Sequence, residues 1–249
     1  MSNSYFSKST AFVRIENIYM KTYKMSQVYL QSLSDRNVIP FNHTQFLIKL
    51  KNTYNFEPKV VYDIGACVLH WTKNAKQLWP DAEYVLFDAF APASFLYDGY
   101  KHHVGVLSDA DDKIVKFYQN DTDPGGNSYY REVGHQLSSR VFPDDSCTSC
   151  STRSLDSVIA ERNFPLPDLI KIDVQGAEKD IIAGGIKAMA HAKVLIVEMQ
   201  DSLYNQGAPM AHETLPYIES LGWTCIAHKF CDNGPDADYA FVRNGSGIL

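Results

Sequence analysis

Apolar and polar residues follow two periods along this chain, one typical of helices and one typical of strands. From Phe12 to Tyr29 apolar residues recur every three or four positions, which predicts an amphipathic helix, and Phe46–Lys51 predicts a second one. Short runs rich in β-branched and aromatic residues predict buried strands further along the chain. These runs are Val60–Tyr62, Tyr84–Asp88, His103–Leu107, Leu169–Asp173 and Lys193–Glu198.

Helical patterns follow these strands, at His70–Trp79, Leu155–Arg162, Ala177–Ala190 and His212–Leu221. This alternation indicates a parallel sheet joined by right-handed crossovers. The last two strand-like runs, Trp223–His228 and Tyr239–Arg243, are separated by a Gly–Pro turn and no helix. We therefore predict an α/β fold with a seven-stranded, mostly parallel, doubly wound sheet, an antiparallel edge hairpin and extra N-terminal helices.

The segment between the third strand and the helix at Leu155 has a weaker pattern. Lys113–Tyr118 alternates and predicts a hairpin extension of the third strand. Residues 119–151 contain several proline and glycine breakers and are predicted to form one long loop. A loop of this length in a compact domain is usually functional or mobile.

Length and composition limit the class of protein. The 249 residues fit an N-terminal helical extension over residues 1–57 and one large α/β domain over residues 58–249. A net charge of −6 argues against nucleic acid held by a broad basic surface, and no apolar run is long enough to predict a membrane span. The N-terminal residues lack signal-peptide features, and an odd number of cysteines, five, favours free thiols, so a cytoplasmic location is expected.

Acidic residues stand where the predicted strands end. They are Asp63, Asp88, Asp173 and Glu198, with the pair Ser108–Asp109 as a fifth such end. The carboxyl ends of parallel strands face one crevice, where ligands bind. A single strand-end acid is usually a helix cap or a turn former, but five at one edge are difficult to explain in that way. The pattern indicates a ligand with several hydroxyls and amines and a positive centre.

Gly65 and Asp88 give this crevice the features of a nucleotide site. Gly65 follows the first strand, where a residue without a Cβ lets a ligand approach the backbone. Asp88 comes 25 residues after Asp63, near the spacing at which such folds place a carboxylate on ribose hydroxyls.

The sequence blocks around these acids resemble the FkbM family of S-adenosylmethionine-dependent methyltransferases. The resemblance covers about residues 55–243, and its most specific block runs from Ile170 to Glu178. It implies a Rossmann-like class I methyltransferase fold that binds S-adenosyl-L-methionine over residues 58–249. It also implies transfer of a methyl group to a hydroxyl, often on a sugar, so that the acceptor is a small molecule or a glycan.

The resemblance also implies which residues hold the cofactor. The turn at Asp63, Gly65, Ala66 and Cys67 would lie under the methionine part, Asp88 on the ribose and Ser108–Asp109 near the adenine, with Asp173 beside them. Two positions depart from the family pattern. Cys67 stands where the family usually has asparagine, and Leu69 stands in place of a glycine, where its side chain is expected to crowd the turn or to reshape the start of the helix.

The candidate catalytic residues are Asp173, Glu178 and Glu198. Asp173 is the first choice for the general base, with a helix cap as the structural alternative. Glu178 has an equally good interpretation as an acid that complements a helix dipole. Asp173 and Glu198 end neighbouring strands and form a candidate Mg²⁺ site. Cys147–Cys150 is a single CxxC motif and is weak evidence for zinc.

Several functional alternatives stay open at this stage. A nicotinamide-dependent dehydrogenase is disfavoured because the turn after Asp63 lacks the G-x-G-x-x-G pattern. A methyltransferase-like binding or assembly module without catalysis is the alternative that Leu69 and the N-terminal helices suggest. Those helices are a candidate homodimer surface or a substrate lid. The loop Asn120–Cys150 is predicted to cover the acceptor, with Tyr129 and Tyr130 stacked on a sugar face or packed as ordinary surface residues.

Overall fold

The computed structural model describes residues 26–36, 38–134 and 136–248. Most of the predicted helix Phe12–Tyr29 lies outside these residues. Its end overlaps α1, a helix over residues 26–34. The other helices are α2 (Phe41–Asn52), α3 (His70–Leu78), α4 (Ser138–Val141), α5 (Leu155–Arg162), α6 (Glu178–Gly184), α7 (Ile186–His191) and α8 (Ala211–Ser220), with 3-10 turns at Ala91–Tyr97 and Pro124–Gly126.

The strands fall into two sheets. They are β1 (Val60–Ile64), β2 (Glu83–Asp88), β3 (Lys101–Val104), β4 (Val106–Ser108), β5 (Ile114–Tyr118), β6 (Cys147–Ser154), β7 (Leu169–Ile172), β8 (Val194–Gln200), β9 (Trp223–Asp232) and β10 (Asp236–Arg243). Within the described residues, seven of them form a sheet in the order β3-β2-β1-β7-β8-β10-β9. β10 is antiparallel to both β8 and β9, and the other neighbours are parallel. The predicted mostly parallel sheet with an antiparallel edge hairpin is therefore confirmed.

The strand order places a crevice between β1 and β7. The chain proceeds from β1 to β2 and β3 on one side, then returns to β7 and continues to β8 on the other side. Ligands bind at such a switch point in open α/β sheets, outside the carboxyl ends of the strands. The topology thus identifies the edge of the sheet where a site is expected.

The predicted third strand is wrong in its extent. His103–Leu107 is divided at Gly105, so that β3 pairs with β2 whereas β4 leaves the sheet and pairs with β6. The predicted hairpin of Lys113–Tyr118 with this strand is also wrong, because β5 pairs with β6. β6 occupies the end of the predicted loop 119–151. Its residues are mostly polar and partly exposed, so no apolar pattern reveals it.

The predicted helix Ala177–Ala190 is two helices. α6 ends at Gly184 and α7 begins at Ile186. A Cβ at Gly184 would lie 2.2 Å from the carbonyl oxygen of Ser108, so the helix needs a glycine where it passes β4. Two successive glycines lower helix propensity by about 1 kcal/mol each, which favours a break here.

Apolar side chains cover both faces of the large sheet. One core contains Tyr62, Phe87, Ile172 and Val197 and is covered by α5, α6 and α8. The core on the other face of the sheet contains the alternate residues of these strands and is covered by α1, α2 and α3. Leu47 and Leu50 of α2 are completely buried there, so this helix packs directly against the domain that follows it. The boundary at residue 57 stays a prediction.

Candidate active site

A cleft opens at the carboxyl ends of β1, β2 and β7. Its lining includes Gly65, Asp88, Leu107, Asn127, Tyr129 and Asp173. We call it the strand-end cleft.

Gly65 has a conformation and a contact that a larger residue cannot reproduce. Its φ is +86°, and its N–H donates to the carbonyl oxygen of Phe87 at 2.9 Å. A Cβ at this position would lie 1.8 Å from the carbonyl oxygen of Asp173. Glycine is therefore required for the ends of β1 and β7 to meet at the cleft.

Asp88 lies at the end of β2 and lines the cleft. Its carboxylate accepts hydrogen bonds from the backbone N–H groups of Cys67 at 2.6 Å and Phe90 at 2.7 Å. Burial raises the pKa of this carboxyl, whereas these two N–H groups oppose the rise. The remaining lone pairs of a carboxylate held in this way can accept hydrogen bonds from the hydroxyls of a ribose.

The other residues of the first turn have different positions. Asp63 is completely buried and does not line the cleft, because its carboxylate accepts a hydrogen bond from the Thr72 hydroxyl and lies 3.7 Å from Lys171 Nζ. Cys67 lines the cleft, and Ala66 lines a neighbouring recess. Asp63 therefore contacts Thr72 and Lys171 behind the cleft and does not face the cleft itself.

Ser108 and Asp109 do not line the strand-end cleft. The Ser108 hydroxyl is 3.1 Å from Asp109 Oδ1 and 3.2 Å from the Tyr129 hydroxyl, and Asp109 pairs with Lys113 at 2.6 Å. Val106 and Leu107 of β4 line the cleft in their place. The part of the cleft predicted to face an adenine ring is consequently more apolar than the sequence suggested.

Lys171 joins the strand-end acids and was not identified from the sequence. Its Nζ lies 3.0 Å from Asp173 Oδ2, and the side chain is buried. Burial alone would lower the pKa of Lys171, but Asp173 and Asp63 outweigh it, so the pKa is raised and the amine stays charged. The available signal was a lysine within the apolar run Leu169–Ile172.

Asp173 is held as a carboxylate. Burial alone would raise its pKa, but Lys171 and hydrogen bonds from neighbouring side chains lower it to about 2. Gln175 Nε2 donates to Asp173 Oδ1 at 3.2 Å and to Glu198 Oε2 at 2.6 Å. The pKa of Glu198 is raised well above its usual range by burial and by the charge of Asp173. The structure thus brings together Asp173 and Glu198, two of the three predicted catalytic residues, through a glutamine that sequence reasoning missed.

Glu178 lies apart from these two acids. Its Oε1 accepts the backbone N–H groups of Val174 at 3.0 Å and Gly176 at 3.1 Å, and burial raises its pKa to about 7. It holds the turn in which Gln175 adopts a φ of +59°. This position agrees with the structural interpretation of Glu178 as an acid at the start of a helix.

The residues do not fit a magnesium ion. Mg²⁺ prefers octahedral coordination by oxygen ligands. Asp173, one of the two predicted ligands, already has its charge compensated by the ammonium group of Lys171. Among the described residues, no group of three His, Cys, Asp or Glu side chains could hold a metal. The pair considered for zinc, Cys147 and Cys150, lies on β6, whereas two further free cysteines, Cys225 and Cys231, lie on β9.

The loop after β5 forms one wall of the strand-end cleft, to which it contributes Pro124, Asn127, Ser128 and Tyr129. The hydroxyls of Tyr129 and Tyr130 both donate to Asp180 Oδ2 on α6, at 2.8 and 2.9 Å. These tyrosines therefore anchor the loop by their hydroxyls. The loop therefore lines the strand-end cleft, and its role in covering the acceptor stays a prediction.

Leu69 does not narrow the strand-end cleft. It adopts a φ of +69° at the residue before α3, and its side chain is buried in the core under α1, α2 and α3. The missing glycine therefore affects the backbone, where a left-handed conformation costs roughly 1–2 kcal/mol for a residue with a Cβ. The expected crowding of the cofactor is not observed.

A second depression adjoins the cleft and shares Gln175 and Gly125 with it. Its acidic lining residues are Asp123, Glu132, Glu198 and Asp236, and we call it the acidic pocket. Asp236 begins β10, which is antiparallel, so its start lies at the edge where the parallel strands end. On the same strand, Asp238 Oδ2 lies 2.9 Å from Nε2 of His43 in α2. The N-terminal helices thus reach the same edge of the sheet.

The sequence of the chain is similar to those of several known proteins. A family model of the methyltransferase FkbM domain matches residues 63–224. The 2-O-methyltransferase NoeI of Sinorhizobium fredii is 39% identical over 67 residues, which are 26% of this chain and 28% of that protein. The AMB antimetabolite synthetase AmbE of Pseudomonas aeruginosa is 32% identical over 124 residues, 47% of this chain and 6% of that protein. The matches therefore span less than a third of each relative.

Solved structures of methyltransferases also align with the chain. Human N-acetylserotonin methyltransferase in complex with S-adenosylmethionine gives a TM-score of 0.46 at 9% identity, over 89% of this chain and 56% of that one. The O-methyltransferase TomG of Streptomyces achromogenes gives 0.46 at 11% identity, over 90% and 89%. In the part of the chain that the structure describes, no helix is long and apolar enough to span a membrane.

Proposed function

The chain belongs to the methyltransferase FkbM family, and we propose that it transfers a methyl group from S-adenosylmethionine to a hydroxyl of a sugar or glycan acceptor. The observation that carries the proposal is the linkage of Lys171, Asp173, Gln175 and Glu198 where the strand-end cleft meets the acidic pocket. A cofactor and a hydroxylated acceptor in these two depressions would meet at these side chains.

The residues of the cleft fit S-adenosylmethionine. Gly65 leaves space for a close approach to the backbone, Asp88 presents a carboxylate for ribose hydroxyls, and Val106 with Leu107 offers an apolar surface for the base. When bound, the cofactor supplies a methyl group on a positively charged sulfonium, which is already activated for transfer. The protein has to position the acceptor oxygen and receive its proton.

Glu198 and Asp173 suit different parts of that task. A general base works best when its pKa lies near the working pH, and burial moves the pKa of Glu198 in that direction. Asp173 has a pKa of about 2, which makes it a weak base but a permanent hydrogen-bond acceptor. We assign the orientation of the acceptor hydroxyl to Asp173 and the acceptance of its proton to Glu198, with Gln175 fixing their separation. This division shifts the general base from Asp173, the first choice from sequence, to Glu198.

The alternative of a non-catalytic binding or assembly module loses part of its support. It was suggested by Leu69, whose side chain lies in the core and away from the strand-end cleft. A homodimer through the N-terminal helices stays a prediction. A reducing, cytoplasmic setting is likewise part of the proposal, supported by the five free cysteines.

The proposal is tested by incubating the protein with S-adenosylmethionine and a panel of sugars and glycans. Formation of S-adenosylhomocysteine is measured together with a gain of one methyl group on an acceptor hydroxyl, located by mass spectrometry and NMR. The Asp173→Asn variant provides the control for background turnover. Methylation of nitrogen, carbon or sulfur only, or binding of S-adenosylhomocysteine without transfer to any hydroxyl, would contradict the proposed reaction.

A further inference from the structure

The acidic pocket has an unusual charge balance. Its described lining contains four carboxylates, from Asp123, Glu132, Glu198 and Asp236, and no lysine, arginine or histidine. Among the described residues, no cationic nitrogen lies within ion-pair distance of Glu132, Glu198 or Asp236. The pocket therefore concentrates acidic side chains next to the proposed site of methyl transfer.

Asp236 provides a second observation that points to a ligand. It is only 8% exposed, and its Oδ1 has no hydrogen-bond partner among the described residues. A buried carboxylate oxygen without a donor is costly, and such atoms are usually paired in folded proteins. Because Asp236 lines the pocket, a ligand in the pocket can supply the missing donor.

Glu198 and Asp236 are close enough to bind the same group of a ligand. Glu198 faces Asp238 across the β8–β10 ladder, and Asp236 faces Gln200, so these two acids are diagonal neighbours on one face of the sheet. Diagonal positions in an antiparallel pair are about 7–8 Å apart, a separation that one small cation can bridge through flexible side chains. Asn233 and Tyr204 complete this part of the wall.

Among the described residues, the basic side chains near this face contact other acids. Lys171 pairs with Asp173 and Asp63, His43 pairs with Asp238, and Lys229 pairs with Asp201 at 3.0 Å. Burial, followed by the charge of Asp173, raises the pKa of Asp236 to about 6, and Glu198 is shifted in the same direction. Without a ligand, these two acids resist ionising together, as expected of like charges in one site.

We propose that the acceptor carries a protonated amine as well as the hydroxyl that is methylated, and that its ammonium group binds between Asp236 and Glu198. This inference rests on the proposed function and names the substrate class as an amino sugar. An ammonium group offers three donors and a positive charge, which satisfies Asp236 Oδ1 and allows both carboxylates to ionise. A neutral sugar supplies no positive charge, so the two acids would still oppose each other's ionisation.

The experiment compares matched sugars on the protein loaded with S-adenosylhomocysteine. Glucosamine, galactosamine and mannosamine are titrated by calorimetry, each beside its parent hexose and its N-acetyl derivative. We expect at least one amino sugar to bind about tenfold more tightly than both of its neutral counterparts, as loss of a charge-assisted hydrogen bond predicts. Equal or weaker binding of every amino sugar, or no binding of any, overturns the inference.

Two variants distinguish a direct contact between Asp236 and the ammonium group from an effect of the overall charge of the protein. Asp236→Asn keeps the size of the side chain and removes its charge, and it should abolish the preference for the amine while the affinity for S-adenosylhomocysteine stays within about threefold. Asp232→Asn removes one charge from the same hairpin at an exposed position and should retain the preference. Persistence of the preference in Asp236→Asn would contradict the assignment.

The outcome is distinguishable from failure of the proposed function. If neutral sugars are O-methylated as readily as amino sugars, the proposed reaction stands and the ammonium site is rejected. If the protein does not bind S-adenosylhomocysteine, the proposed function itself fails before the sugars are compared.

Discussion

The Cα of Gly65 faces the carbonyl oxygen of Asp173 so closely that a Cβ on Gly65 would lie 1.8 Å from it. This contact joins the end of β1 to the end of β7 at the switch point of the sheet. The residue that opens the cofactor turn and the residue assigned to the acceptor therefore depend on each other for their positions.

Gly65→Ala should displace Asp173 and lower both cofactor affinity and stability. We expect affinity for S-adenosylhomocysteine, measured by calorimetry, to fall at least about tenfold, since the new methyl group must displace backbone atoms. Gly99→Ala is the matched control, because Gly99 has the same φ of +86° but no neighbour within 4 Å of the added Cβ. Equal effects of the two substitutions would show that backbone strain, and not the contact with Asp173, determines the loss.

Asp88→Ala should weaken the binding of S-adenosylhomocysteine by about 1–3 kcal/mol, because ligand hydrogen bonds to a charged acceptor are lost. The structure adds an expected loss of stability, since Cys67 and Phe90 each lose an acceptor for a backbone N–H. Calorimetry and thermal unfolding measure the two effects, with the exposed Asp98→Ala as the control. Unchanged affinity would remove Asp88 from the cofactor site.

Asp173→Asn should reduce methyl transfer by a factor of about 100, or about 2.7 kcal/mol of transition-state stabilisation, with S-adenosylhomocysteine affinity near that of the wild type. It should also lower the melting temperature, because buried Lys171 loses its closest carboxylate. The contribution of Asp173 has a defined pH window. Its pKa is lowered in the folded protein, so this stabilisation is present above pH about 4 and is lost as the pH falls towards about 2. Activity within threefold of the wild type would contradict its role.

Glu198→Gln should have the opposite effect on stability. The pKa of Glu198 is raised in the folded protein, so the wild type loses stability as pH rises from about 4.5 through that pKa, by up to about 1.4 kcal/mol per pH unit. Glutamine resembles the protonated acid and can still accept the hydrogen bond from Gln175. The variant should therefore melt at a higher temperature than the wild type at pH 8, with a smaller difference at pH 4.5, while methyl transfer falls.

The control for this variant is Glu219→Gln, at an exposed position of α8. A thermal melt of each protein across the pH series provides the comparison. A lower melting temperature for Glu198→Gln at pH 8 would mean that the ionised carboxylate is stabilised in the fold and is not poised to accept a proton.

The sequence predicted best the strands whose residues are buried on both faces of the sheet. Val60–Ile64 and Val194–Gln200 are almost continuously buried, so apolar runs identified them, and α5 begins and ends where predicted. β6 was missed because its residues are polar and its extended form is visible only from its pairing with β4 and β5. Local patterns do not contain such long-range pairing.

The same contrast applies to the candidate site. Gly65 and Asp173 directly follow parallel strands, and Asp88 and Glu198 lie at or near the end of one. A rule about strand ends therefore finds all four. Asp236 and Asp238 lie at the start of an antiparallel strand, which brings its first residues to that edge, so the rule overlooks them. The roles of Lys171 and Gln175 become clear when their partners Asp173 and Glu198 are seen beside them.

Isothermal titration of the wild-type protein with S-adenosylmethionine, S-adenosylhomocysteine and NAD tests the central claim most directly. The strand-end cleft, with Gly65 at the β1–β7 contact and Asp88 at the end of β2, predicts saturable binding of both sulfur nucleosides at one site per chain and no binding of NAD. Binding of NAD without either sulfur nucleoside, or binding of none of the three, would contradict the assignment of this cleft to S-adenosylmethionine.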